Sequence, residues 1–114
     1  MKLVFKFNAT IIDEIEKAKG VPIENCIADN TINNLALLIS KGLVDDNGKV
    51  GTTRAVALSK IDEYLEENDK DNLLLDITEA LVRDGFLSRS LNVSKMREAL
   101  GKRANQVSEQ LDNI

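Results

Sequence analysis

The chain has 114 residues, which suits one domain with one modest core. An apolar share of 43% excludes wholesale disorder, and with only four aromatic residues (Phe5, Phe7, Tyr64 and Phe86) the core must be mostly Leu, Ile, Val and Ala, a composition that favours helix packed on helix. The net charge of −4 argues against a general nucleic-acid coat, although the charge is uneven, −6 over residues 1–82 and +2 over residues 83–114.

Lys2–Asn8 alternates, with Leu3, Phe5 and Phe7 on one side and Lys2, Val4 and Lys6 on the other, and so reads as a short strand. A single strand leaves backbone groups unpaired and needs a partner in this chain or another. Thr10 with Asp13 resembles a capping pair, and Asn8 is a rival cap. Ile11, Ile12, Ile15 and Ala18 form the apolar stripe of a first helix that Gly20 and Pro22 end. Residues 22–28 read as one or two helical turns with Pro22 at the first helical position.

Asn30 or Thr31 starts a well-buried helix carrying Ile32, Leu35, Ala36, Leu38 and Ile39, which Gly42 ends. Residues 44–51 hold an Asn47–Gly48 turn between two valines and are either a short hairpin or a plain loop. Thr52 or Thr53 caps the next helix, with Val56, Ala57, Ile61, Tyr64 and Leu65 on its inner face. Asp71–Leu87 is where the core is expected to form. Leu73, Leu74, Ile77, Ala80 and Leu81 line one face, Asp71 or Asn72 caps the start, and Gly85 supplies the left-handed end. Asn92 or Ser94 caps a last helix whose seam is Val93, Met96, Leu100, Ala104, Val107 and Leu111. The fold class is therefore mainly α, a small helical domain of five or six helices with a short N-terminal β-strand. Residues 1–90 form that domain, and residues 91–114 are a C-terminal helix or a partly flexible tail.

Chemically reactive constellations are sparse. The chain has no histidine, so the commonest base and metal ligand is missing. Cys26, flanked by Ile23 and Ile27, reads as a small core residue. As a lone cysteine it forms no intramolecular disulfide and fits a reducing cytoplasm. Asp69, Asp71 and Asp76 lack the spacing, central glycine and final glutamate of a calcium loop and read as a capping surface. No catalytic residue, cofactor or metal is expected. No run is long and apolar enough to cross a bilayer, and no signal peptide is expected.

Two resemblances bear on function. The stretch NLALLISKGLVDDNGKV, from Asn34 to Val50, looks like the recognition helix and wing of winged-helix DNA-binding proteins. Asn30, Asn33 and Asn34 would then read bases. Against this, Lys41 is the one cation between Asn30 and Lys41, and Asp45 and Asp46 at the wing tip would repel phosphate.

The order of elements over residues 1–90 resembles the tail assembly chaperones of long-tailed bacteriophages. The segments that carry the likeness are KLVFKF, EIEKAKG, NLALLISKGLV, LSKIDEYLEEN and, above all, LLLDITEALVRDGFL. That resemblance implies a non-enzymatic protein of the host cytoplasm. It would bind the tape measure protein and assist the tail tube protein to polymerise around it. Self-association and a longer frameshifted form are further implications, and neither membrane nor nucleic acid is an expected partner. The gripping surface is expected at Leu3, Phe5 and Phe7 on the strand and at Met96, Leu100 and Val107 on the seam. Arg89, Lys95, Arg97, Lys102 and Arg103 would steer an acidic partner.

Overall fold

The computed structural model describes residues 2–99. Five helices follow one another, α1 (Ala9–Lys19), α2 (Ile23–Cys26), α3 (Ile32–Gly42), α4 (Arg54–Leu65) and α5 (Lys70–Arg83). A sixth, α6, covers residues 93–99 within the described part. Among the described residues there is no strand ladder; two isolated antiparallel bridges join Phe5 to Leu43 and Val44 to Val50.

The helices begin where a short polar side chain meets an extended backbone. Asn8 caps α1 by accepting from Ile11 N at 2.9 Å. Asn8 and not Thr10 does so because Asn8 is extended and Thr10 already lies inside the first turn. Thr31 caps α3, Thr53 caps α4 and Asp69 caps α5, each through the backbone N–H three residues on. The last of these lies two residues before the expected Asp71. Pro22 stands just outside α2 rather than in its first turn, and the cap is remote: Glu16 on α1 accepts from Ile23 N at 2.8 Å.

The helix ends divide into two kinds. Gly20 and Gly85 take left-handed φ values of 73° and 89°. At Gly85 the chain closes with Phe86 N donating to Leu81 O and Gly85 N donating to Val82 O, which returns Phe86 and the buried Leu87 onto the last turn of α5. Gly42 is different: its φ is not positive and it stays within α3. Its lack of a side chain makes room for the ring of Phe7, which a Cβ at Gly42 would meet at 2.4 Å.

The core centres on α3 rather than on α5 alone. α3 packs against α1, α4 and α5, because Leu35, Ala36, Leu38 and Ile39 cover more than one face and are all fully buried. α5 contributes the longest buried run, with Leu73, Leu74, Leu75, Ile77, Thr78, Ala80 and Leu81. Ala57, Ile61 and Tyr64 face inward from α4, whereas Val56, expected inside, is 41% exposed. Cys26 is buried, as its neighbours suggested, and burial raises its thiol pKa further from reactivity.

One buried polar residue sits in the middle of this apolar set. Asn34 donates its amide to Cys26 O at 2.9 Å and to Asp29 O at 2.6 Å, tying the loop after α2 to the first turn of α3. The same loop is held from α1 by Lys19, which donates to Asp29 at 2.9 Å, while Thr31 N donates to the other carboxylate oxygen. These bonds, Lys19's first, lower the Asp29 pKa from 3.8 to about 2. The folded protein therefore binds this proton less readily than the unfolded chain. The stability that Asp29 contributes is complete above pH 3.8 and is lost as pH falls toward about 2. Urea midpoints measured at pH 5, 3 and 2 should fall with acid, and the fall should be shallower in Asp29→Asn. An identical fall in both proteins would remove Asp29 as a cause.

Candidate functional site

The N-terminal segment keeps the expected alternation: Phe5 and Phe7 are buried, Leu3 is half-buried, and Lys2, Val4 and Lys6 are exposed. One edge pairs with the end of α3, through Lys6 N to Gly42 O and Val44 N to Val4 O. The opposite edge is covered by the end of α5. Asp84 accepts from Phe7 N at 2.8 Å, and the Arg83 guanidinium donates to Phe5 O while pairing with Asp84. Burial works against the Asp84 charge, but Arg83 and the Phe7 N–H outweigh it and lower its pKa. Phe5 and Phe7 are thus core residues, with Phe7 N and Phe5 O bonded to the end of α5. They do not form a gripping strip, because two aromatic rings on a short segment gain more by burial in this chain's own core.

The second expected surface lies at the other end of the chain. Asn92 caps α6 by accepting from Lys95 N at 3.0 Å. α6 runs back along α5. Val93 shares a shallow groove with Glu79 and Val82. Met96 and Ala99 share a cleft of about 400 Å³ with Leu74, Leu75, Asp71 and Ile27. Between them Arg97 donates to both Asp76 and Glu79, and Asp76 also accepts from the Tyr64 hydroxyl at 2.7 Å. Burial first, and then the Asp76 bond, raise the Tyr64 pKa, so this phenol stays a donor. Arg97 and Met96 are half-buried, while Arg89 and Lys95 are exposed. Leu100, Lys102, Arg103 and Val107, with the rest of the seam, lie outside the described residues.

This polar junction was not visible in the chain order. The spacing puts Tyr64 on a helix's inner face and reads Asp76, with Asp69 and Asp71, as a capping surface; in the structure Asp69 is the cap and Asp76 binds Tyr64 and Arg97. A buried tyrosine needs a partner for its hydroxyl, and that need was the available signal. Three further carboxylates weighed from the sequence are likewise engaged. Asp69 caps α5, Asp71 accepts from Asn30 at 2.9 Å, and Asp45 folds its own turn by accepting from Asn47 N and Lys49 N. Among the described residues no group of three or more His, Cys, Asp or Glu is placed to hold a metal ion.

The amides weighed for base reading are placed differently. Asn34 is fully buried, Asn30 donates to Asp71, and Asn33 accepts from Arg54 at 3.2 Å. Among the described residues no helix is long and apolar enough to cross a membrane. The chain matches no protein-family model, no curated protein and no solved structure.

Proposed function

We propose that this protein is a non-catalytic holding partner of the tail assembly chaperone kind, which keeps a long helical client, the tape measure protein, from aggregating while the tail tube protein assembles around it. The reading starts from the resemblance of residues 1–90. The observation that carries it is the cleft beside α6, where Leu75 of α5 lies outside the main core, next to Leu74 and Ile27, with the Asp71 carboxylate on the wall. Such a strip suits a helix laid lengthwise. The host cytoplasm is the compartment this role requires.

A winged-helix reader of DNA is the alternative. It would need Asn30, Asn33 and Asn34 presented to base edges, and each is instead occupied within the chain or buried. The deciding experiment is co-expression with tape measure fragments. The protein is expected to raise their soluble fraction and to co-purify with them. Unchanged solubility together with no co-purification overturns the proposal, and a shifted duplex in low-salt gels would favour the alternative.

A further inference from the structure

Leu75 is only 5% exposed, yet it lies outside the main core cluster that contains its neighbours Leu73, Leu74 and Ile77. It lines the cleft with Met96 and Ala99 of α6 and with Ile27 from the loop after α2. α6 itself is loosely held. Val93 and Met96 are half-buried but are not among the hydrophobic residues packed against the core, and Ser94, Lys95, Glu98 and Ala99 are exposed. Its anchor is one arginine on two carboxylates, Asp76 and Glu79, with a third carboxylate, Asp71, on the wall of the cleft. Ion pairs this exposed hold weakly, since water and salt screen them.

We infer that this strip of α5 is a docking surface for a partner's amphipathic helix with a basic edge, and that α6 fills it as an internal stand-in. The charge pattern selects the occupant. The face of α5 beneath α6 carries Asp76 and Glu79, with Asp71 on the wall of the adjoining cleft, and so accepts a helix that sets a cation beside an apolar residue; Met96 followed by Arg97 is that arrangement in miniature. A partner helix that covers more of Leu74, Leu75 and Ile27 than residues 93–99 do would displace them. The inference rests on the proposed holding role and names the chemistry that the client presents.

Two designed helical peptides of about 18 residues test it, both with leucines at spacings of three and four, one with an arginine edge and its twin with a glutamate edge. Each is titrated into the full chain and into its Arg97→Ala variant, with fluorescence anisotropy as the readout. A resident helix that fills the site nine-tenths of the time weakens apparent affinity about tenfold. Arg97→Ala is therefore expected to bind the arginine peptide about tenfold tighter than the parent, with the glutamate twin bound by neither. Asp76→Asn added to Arg97→Ala should remove most of that gain. Equal affinity of parent and variant, equal binding of the two peptides, or dimerisation of the variant in place of peptide binding each overturns the inference. Hydrogen exchange on the unaltered protein supplies a second measurement: amides of residues 93–99 should exchange far faster than those of α5, and equal protection counts against displacement. The peptides contain no phage protein, so a failure of the tape measure co-expression would leave this result standing, and the reverse holds as well.

Discussion

Replacing Asn34 by leucine is expected to destabilise the fold by about 1–3 kcal/mol, the cost of leaving Asp29 O without its donor and Cys26 O with only the 3.3 Å bond from Asp29 N. By periodicity the change looks harmless, since it extends an already apolar helix. In the structure the Asn34 amide is the donor to both Cys26 O and Asp29 O. Leucine would leave Asp29 O without its donor and Cys26 O with Asp29 N alone, and would loosen the loop that leads into α3. The Asn34 side-chain oxygen has no protein partner, so the stabilisation comes from the amide nitrogen. Asn34→Asp, which keeps the shape but replaces that donor with an acceptor, should be at least as damaging. Urea unfolding followed by far-ultraviolet circular dichroism measures both. A leucine variant within about 0.5 kcal/mol of the parent, the range of ordinary surface changes, would show that the two carbonyls find other donors.

The second large effect is expected at Gly42. Alanine in a helix interior is normally favoured over glycine by about 1 kcal/mol. Here the added methyl would stand 2.4 Å from one ring carbon of Phe7 and 2.6 Å from the next. Phe7 is 4% exposed and its backbone N–H is tied to Asp84, so the ring has little room to swing aside. Overpacking of this kind costs roughly 1–3 kcal/mol, which outweighs the propensity gain and lowers the melting temperature by about 4–8 °C per kcal/mol lost. Leucine at position 7 removes the ring, so Gly42→Ala and Phe7→Leu together should cost less than the sum of the two alone. A more stable Gly42→Ala protein would mean that the ring moves freely.

These two residues mark where the sequence becomes opaque. The helices themselves are readable because burial repeats every three or four residues, and the alternation of residues 2–8 foretells which of them are buried. Local chemistry also marks the ends, in Asn8, Thr31, Thr53, Gly20 and Gly85. Asn34 and Gly42 owe their identity to atoms brought in from elsewhere, a pair of loop carbonyls in one case and a ring from the N-terminal segment in the other. Nothing within a helical turn of either residue announces that need. The same holds for the surface. An unpaired edge is what local reasoning leads one to expect, but the groups that bond Phe7 N and Phe5 O come from Asp84 and Arg83, 77 and 78 positions later in the chain. Of the expected seam, Val93 and Met96 are half-buried, whereas the pairing of Arg97 with Asp76 across 21 positions is announced by nothing local.

The bond between Phe7 N and Asp84 also sets an order of events. Residues 5–7 cannot complete this bonding until Asp84 has been synthesised, and closing so long a loop is entropically slow. A nascent chain arrested before Arg83 would carry two aromatic rings and an uncovered edge into a crowded cell, the state most prone to clump with its neighbours. Translation past Asp84 is the step that retires that hazard.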